Sequence, residues 1–175
     1  MNADEVPFAA HDLYFRDWHH TDVDDMVRLF DTDEMNRWTP LPSPFDAAVA
    51  AKYVSAAQEA RERDGTLQLA VCAAPEGPPL GEVLMFPSSQ PDAVEVAYAV
   101  GAAHRGQRIG SRAIAAVLEL ARAAGARRAL LTIAHDNAAS QATALAAGFV
   151  KTDAPLRRRE RKGFVLQMET WERGL

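Results

Sequence analysis

One short segment of the chain combines residue types that could bind a phosphate group. Between residues 105 and 111, Gly106 and Gly110 would let the backbone approach an anion, and Arg105 and Arg108 would add charge-assisted contacts. The segment leads from a predicted strand into the longest predicted helix. Its free backbone N–H groups and the positive end of the helix dipole would therefore meet the same ligand. The spacing alone is equally consistent with an ordinary strand-to-helix turn that carries two solvated arginines.

Two well-known phosphate-binding loops do not fit this segment. A Walker A loop ends in Gly-Lys followed by Ser or Thr, and that ending is absent here. The dinucleotide-binding fingerprint has a different glycine spacing and follows the first strand of its domain, whereas this segment follows the fourth predicted strand. The segment therefore belongs to neither class.

Hydrophobic periodicity predicts the elements that must position this segment. The order β-α-α-β-β-β-α-β-α-β-β indicates a mixed sheet with helices on its faces. Strands are predicted at residues 12–18, 67–73, 81–86, 93–100, 129–133, 149–152 and 163–172, and helices at 21–30, 44–64, 108–124 and 137–147. The stretch 31–43 is predicted to be irregular, and the basic run 157–162 is predicted to be a loop between the last two strands.

Length and composition limit the class of protein. A chain of 175 residues, 48% hydrophobic and 25% charged, is expected to form one domain at residues 12–175 after a flexible leader at 1–11. The single cysteine excludes a disulfide framework, and no apolar run is long enough to cross a bilayer. His19 and His20 lack a carboxylate at ligand spacing, so no metal site is predicted.

Charge and the first residues indicate where such a protein acts and on what. The start of the chain lacks the basic and apolar stretches of a secretory signal, so we expect a cytoplasmic protein. The net charge of −5 argues against bulk nucleic-acid binding and favours a cationic partner.

Several segments resemble GNAT-type acetyltransferases, and in particular the branch that acetylates the N-termini of ribosomal proteins. Residues 105–110, Arg-Gly-Gln-Arg-Ile-Gly, resemble the Arg/Gln-x-x-Gly-x-Gly/Ala pyrophosphate loop of that family. Residues 95–100, Glu-Val-Ala-Tyr-Ala-Val, are similar to the Glu-Ile-Gly-Tyr-Trp-Leu strand of the branch. Asn137-x-x-Ser140 with Gly148-Phe149 resembles its Asn-x-x-Ser…Gly-Phe signature.

The resemblance covers residues 12 to 172 and departs from the family pattern at a few positions. The opening strand and helix, residues 13–25, also look like those of the branch. Arg108 stands where the family usually has Gly, so a left-handed backbone at this position would be strained. Ala97 and Ala99 replace the Gly and Trp of the strand motif.

The resemblance implies a fold and a reaction. The fold class would be α/β (α+β), with a GNAT-like, mostly antiparallel central sheet of about seven strands flanked by about four helices. The reaction would move an acetyl group from acetyl-CoA to a primary amine, by direct transfer in a ternary complex. The amine would belong to a protein N-terminus or to a small molecule. Similar proteins often pair through exposed sheet edges, which makes a homodimer one candidate assembly.

The resemblance also implies the residues that bind the cofactor and carry the chemistry. The cofactor-binding residues would be Val100, Arg105, Gly106, Gln107, Arg108, Ile109, Gly110, Ser111, Asn137 and Ser140. Glu95 is the candidate base, acting through water, because alternation places it on one face of its strand with Ala97 and Ala99. Ser140 is the candidate contact to the CoA thiolate or to the pantetheine arm. Simpler roles are a cross-strand Glu95, a Ser140 bonded to its own helix and an Asn137 that caps that helix. Tyr98 lies on the opposite face of the strand from Glu95 and is predicted to pack in the core.

The acceptor amine would be held beside the two N-terminal helices. The candidate residues are Met35, Trp38, Phe45 and Glu95, and core packing is the alternative for the three apolar ones. Two other functions remain open: a non-catalytic domain that senses acyl-CoA, and an RNA- or ribosome-associated module that uses the basic run 157–162.

Overall fold

A computed structural model describes residues 6–175, in which nine strands form one sheet and five α-helices cover its faces. The strands are β1 Phe8–Ala10, β2 Leu13–Asp17, β3 Leu67–Cys72, β4 Pro79–Pro87, β5 Ala93–Val100, β6 Arg128–Ala134, β7 Val150–Lys151, β8 Arg157–Arg161 and β9 Phe164–Gly174. The helices are α1 Val23–Phe30, α2 Asp33–Trp38, α3 Ala47–Asp64, α4 Ile109–Ala123 and α5 Ala138–Ala146. No helix among these residues is long and apolar enough to span a membrane.

The sheet has the order β1-β2-β3-β4-β5-β6-β9-β7, with β8 paired to β9. Every pairing is antiparallel except the one between β5 and β6. The prediction of a mixed, mostly antiparallel α/β (α+β) fold is confirmed. The strand and helix counts are somewhat higher than the expected seven and four.

Strand alternation divides the hydrophobic residues between two cores on opposite faces of the sheet. On one face Val94 and Val96 of β5 pack with Ile114 and Val117 of α4 in the larger core. On the other face Ala99 packs with residues of α1, α2 and α3 in a second core. The two faces at the carboxyl end of β5 are therefore built by different parts of the chain.

Local signals explain where the helices begin and end. The Asp46 side chain accepts from the Val49 N–H at 2.9 Å, so α3 starts at Ala47 rather than at the predicted Pro44. It ends at Gly65, whose φ of 76° lies in the left-handed region. Thr32 caps α2 in the same way, by accepting from the Met35 N–H at 3.2 Å.

Three elements lie where the sequence predicted none. α2 occupies part of the stretch predicted to be irregular, and β8 forms within the basic run that was predicted to be a loop. β1 lies within the predicted leader and pairs with β2, so folded structure begins before residue 12. Residues 1–5 of that leader lie outside the described part of the chain.

Candidate functional site

The sheet opens between its two central strands. β5 and β6 are paired only over residues 93–95 and 128–130, although both strands continue beyond that point to Val100 and Ala134. From Val96 onward, the edge of β5 that faces β6 has no strand partner within residues 6–175. Its backbone N–H and C=O groups are therefore available to a ligand that enters the opening.

A cavity of about 370 Å³ lies at this end of the sheet. Its walls are the end of β5, the loop that follows, the first turn of α4, one side of α5 and part of α2. Predicted residues that line it are Met35, Trp38, Val100, Arg105, Gly106, Arg108, Ile109, Gly110, Ser111, Asn137 and Ser140. The predicted cofactor-binding segment and part of the predicted acceptor region are thus brought together in one cavity.

The loop before α4 directs free N–H groups toward the cavity. The first α4 backbone bond runs from the Arg112 N–H to the Arg108 carbonyl at 3.0 Å, so the N–H groups of residues 109–111 have no helical partner. Gly106 has a φ of 76°, and Arg108 has a φ of 57° in the left-handed region. An L-residue with a side chain is strained by about 1 kcal/mol or more in that conformation. The backbone at Arg108 therefore takes the conformation that the family's usual Gly would adopt freely.

Gly110 is required by close packing rather than by its backbone angles. A Cβ atom at this position would lie 3.1 Å from Thr143 Cγ2 and 3.2 Å from the Tyr98 ring. Both neighbours line the cavity. The missing side chain therefore keeps α4, α5 and β5 close together where the cavity is narrow.

The loop carries positive charge that is only partly neutralised. Arg105 forms an ion pair of 2.5 Å with Glu34 of α2, and both side chains are partly exposed. Arg108 has no ion pair among residues 6–175 and lines the same cavity. The helix dipole of α4 adds to this field, so the loop end of the cavity favours an anion.

Tyr98 and Ser140 join β5 to α5 at the cavity wall. Their hydroxyl oxygens are 2.8 Å apart, and the Tyr98 hydroxyl also lies 3.1 Å from the Ser140 carbonyl. Burial raises the pKa of Tyr98, while its hydrogen bonds to Ser140 and Thr143 act in the opposite direction. Tyr98 was predicted to be core. It packs against the larger core and also lines the cavity.

The Asn137 side chain caps α5, which is the simpler of the roles predicted for it. Its oxygen accepts from the Ser140 N–H at 3.0 Å. This bond fixes the first turn of α5 and with it the position of the Ser140 hydroxyl.

Three predicted site residues do not line the cavity. Phe45 is 1% exposed and lies in the second core, where its ring packs edge-on against Phe30 and Tyr53. Gln107 is exposed on the loop. Glu95 is half-buried in the last residue pair before β5 and β6 separate, on the face away from α4.

Sequence reasoning missed other residues of the cavity. His104 and Thr143 line it, and so does Glu34, which belongs to an acidic run that could attract a cationic amine or be a solvated face. His104 and Thr143 carried no sequence signal because they belong to different elements and neither is a motif position. Within residues 6–175, no group of three His, Cys, Asp or Glu residues is placed to hold a metal ion.

A buried carboxyl, that of Glu82, lies near the cavity, beneath the N-terminal helices. Glu82 of β4 is 4% exposed and accepts from the Tyr53 hydroxyl at 2.9 Å. Burial raises the pKa of Glu82 to about 7, although the hydrogen bond from Tyr53 opposes this. Glu82 is paired with Ala99, a cavity residue, so this carboxyl supports the floor of the site.

Comparison with known proteins agrees with this geometry. A family model described as an acetyltransferase (GNAT) domain matches residues 12–150. A ribosomal-protein-S5-alanine acetyltransferase from Vibrio fischeri is 18% identical, with 97% of each chain covered and a TM-score of 0.80. RimJ from Mycobacterium smegmatis, in complex with CoA-disulfide, is 18% identical over 96% of this chain and 85% of that chain, with a TM-score of 0.79.

A further solved structure is similar over almost the whole chain. RimL, a ribosomal L7/L12 alpha-N-protein acetyltransferase in complex with coenzyme A, is 17% identical over 98% of each chain, with a TM-score of 0.83. At these identities the likeness establishes a shared fold. A search of curated proteins found no match. The resemblance stated from the sequence is confirmed.

Proposed function

Since the chain belongs to the GNAT acetyltransferase family, we propose that it transfers an acetyl group from acetyl-CoA to a primary amine, and that this amine is a peptide N-terminus. One observation carries the proposal. The free N–H groups of the α4 first turn and the open edge of β5 meet in one cavity. A ligand with a diphosphate at one end and an amide-bearing arm at the other fits this arrangement. The diphosphate would meet the N–H groups of α4, and the amides of the arm would meet the open edge of β5.

The loop would bind the diphosphate of acetyl-CoA. The N–H groups of residues 109–111 would donate to phosphate oxygens, and Arg108 would add charge. Arg105, held by its ion pair with Glu34, would add further positive charge at the same end of the cavity. The pantetheine arm would then lie along the free edge of β5 and bring the thioester beside Ala99 and Val100.

The reaction needs a neutral amine and a stabilised leaving group. The amine nitrogen attacks the thioester carbonyl carbon, the C–S bond breaks, and the amine loses a proton while the thiolate gains one. The Ser140 hydroxyl, paired with that of Tyr98, would donate a hydrogen bond to the departing sulfur. No metal takes part in this scheme.

The charges around the cavity favour an acceptor whose amine loses its proton easily. The carboxylate in the cavity wall, Glu34, is engaged by Arg105. Glu95 lies four residues before Ala99, roughly 13 Å away along the strand, and would act through intervening water. An α-amine with a pKa near 8 is neutral for about a tenth of the time at pH 7, whereas a lysine-like amine is neutral in about one molecule in 10³. A peptide N-terminus therefore needs the distant base much less.

Thiol release from acetyl-CoA is the direct test. We would measure it with short peptides, polyamines, free amino acids and aminoglycosides, and measure CoA binding by calorimetry. The expected result is CoA binding together with turnover on peptides. Glu95→Gln is expected to lower turnover without changing CoA affinity. Glu76→Gln, at an exposed turn position, is the matched control.

The outcomes separate this function from its alternatives. CoA binding without thiol release on any amine would indicate a sensing domain. Turnover on polyamines or aminoglycosides but not on peptides would keep the acetyltransferase and replace the acceptor. Absence of CoA binding would overturn the proposal as a whole.

A further inference from the structure

The basic run near the end of the chain has two different faces. In β8 the odd-numbered residues Arg157, Arg159 and Arg161 pair with Met168, Leu166 and Phe164 of β9. Because paired side chains point to the same side of a sheet, the three arginines share the face of these apolar residues. Leu166, Met168 and Phe164 pack with Trp38 of α2, a residue of the cavity wall. The arginine row, as we name these three residues, therefore borders the acceptor side.

The opposite face of β8 is neutralised within the strand, and the arginine row is not. Arg158 and Glu160 form an ion pair of 3.1 Å. Within residues 6–175, no carboxylate lies at ion-pair distance from any member of the row. Burial and the neighbouring Arg159 lower the pKa of Arg161, so the like charges repel. A complementary anion would relieve that repulsion.

The β8–β9 hairpin is held against the acceptor region. Lys162, at its turn, donates from Nζ to the Leu41 carbonyl at 2.5 Å. The register of the sheet places Arg157 level with Met168 of β9 and Ala134 of β6, and β6 has separated from β5 before this level is reached. Two strand spacings of about 4.8 Å separate Arg157 from β6, and the opening between β6 and β5 is at least one more spacing wide, so Arg157 lies roughly 15 Å or more from β5. An extended peptide covers that distance in about four residues.

We propose that the arginine row binds carboxylate side chains about two to four residues beyond the acceptor amine, so that the preferred substrate is an acidic peptide N-terminus. This inference rests on the proposed function, because the amine is placed beside Ala99. Guanidinium groups form paired hydrogen bonds with carboxylates and remain charged at every relevant pH. The cavity walls include no residue of the hairpin, which places the row away from the CoA diphosphate.

The test compares matched peptides on the full-length enzyme. Ten-residue peptides with Asp or Glu at positions two to four are measured against the same peptides with Asn or Gln. The expected kcat/KM for the acidic peptides is about tenfold higher at low salt, mainly through KM, with a smaller preference at 0.5 M salt. In the double variant Arg157→Gln/Arg159→Gln the preference should fall below about twofold. Arg158→Gln, on the other face of β8, should keep it.

Each outcome decides the inference. Loss of the preference in the double variant, with its retention in Arg158→Gln, supports it. Equal acetylation of acidic and neutral peptides by the unchanged enzyme overturns the inference and leaves the proposed function intact. Absence of acetylation on every peptide overturns both. Salt-sensitive binding of a single-stranded RNA probe, lost in the double variant while peptide kinetics stay unchanged, would assign the row to nucleic acid and overturn the inference.

Discussion

The two ends of the cavity are built from different parts of the polypeptide. One end, which we propose binds phosphate and call the phosphate end, is the consecutive segment 105–111 and offers mainly backbone N–H groups. The acceptor side presents side chains of α2, and apolar residues of the β8–β9 hairpin, more than 100 positions away, pack behind Trp38. A site that binds through main-chain N–H groups depends on backbone conformation, so it tolerates Arg108 in place of Gly. A site that binds through side chains depends on which residues are present. The cofactor is therefore expected to be common to the family and the acceptor particular to this chain.

The largest expected effect follows from closing the phosphate end. In Gly110→Val the Cβ would already be 3.1–3.2 Å from Thr143 and Tyr98, and the two methyl groups would enter the cavity. We expect CoA affinity, measured by calorimetry, to fall by about 10² to 10³-fold.

Ala115→Val is the matched control, because it places the same side chain in α4 at a half-buried position outside the cavity. Its CoA affinity should stay within about threefold of the unchanged protein. Full CoA affinity in Gly110→Val would show that the ligand does not approach the first turn of α4.

The residues that line the cavity at its phosphate end could be located from sequence, and those at its acceptor side only in part. Residues 105–111 carry their information in consecutive positions, since glycine and arginine types report directly on backbone and charge. Phe45 and Trp38 look alike as aromatic residues of an apolar stretch, yet Phe45 is core and Trp38 lines the cavity. That difference depends on how α2 and α3 pack, which local sequence does not encode.

Fold prediction failed for similar reasons at particular elements. β5 has an apolar, strand-like composition and its bounds were predicted correctly. β8 consists of five charged residues, and it is a strand because β9 supplies its hydrogen-bond partners. Tyr98 has the parity of a core residue and packs against the larger core, but the opening of the sheet also exposes it to the cavity.

Two buried carboxyl groups, those of Glu169 and Glu82, lie on opposite faces of the sheet, and their pKa values shift in opposite directions. On the α5 side, burial acts to raise the pKa of Glu169, but hydrogen bonds from Lys151 and His135 lower it below its usual value. On the acceptor side no cation pairs with Glu82 among residues 6–175, and burial raises its pKa to about 7. The first carboxyl is held ionised, and the second is held protonated until near neutral pH.

Replacing Glu82 by Gln should therefore change how stability depends on pH. The folded protein binds the Glu82 proton more tightly than the unfolded chain does. The contribution of protonated Glu82 to the free energy of unfolding is therefore fully present below about pH 4.5. It is lost as the pH rises through about 7. Glu82→Gln has no carboxyl to titrate and lacks that loss. As the pH rises from 5 to 8, the free energy of unfolding of the variant should therefore increase by roughly 1–3 kcal/mol relative to that of the unchanged protein.

Urea unfolding at pH 5 and pH 8 measures this difference. Glu76→Gln, at an exposed position, should show the same pH dependence as the unchanged protein. A pH dependence in Glu82→Gln equal to that of the unchanged protein would mean that the carboxyl is ionised in the folded state.

A smaller effect, on kcat, is expected from substitutions of Ser140 and Tyr98, which lie where the two ends of the cavity meet. Ser140→Ala removes the hydroxyl that would face the leaving sulfur, and we expect kcat to fall about tenfold while the Kd for CoA changes less than twofold. Tyr98→Phe keeps the ring and removes the partner of Ser140, so its kcat should fall about threefold. Steady-state thiol release gives both values. An unchanged kcat in Ser140→Ala would assign the proton donor to solvent.

The smallest expected effect tests whether the phosphate end depends on backbone conformation. In Arg108→Ala the left-handed strain at φ 57° persists and the charge is lost, whereas in Arg108→Gly the charge is lost and the strain is relieved. The Gly variant should therefore be more stable than the Ala variant by about 1 kcal/mol in urea unfolding. Both variants should weaken CoA binding by a similar factor of about two to five, through the lost guanidinium. Equal stability of the two variants would show that residue 108 leaves the left-handed region in solution. The family's usual glycine would then have to be explained by contact with the ligand rather than by the fold.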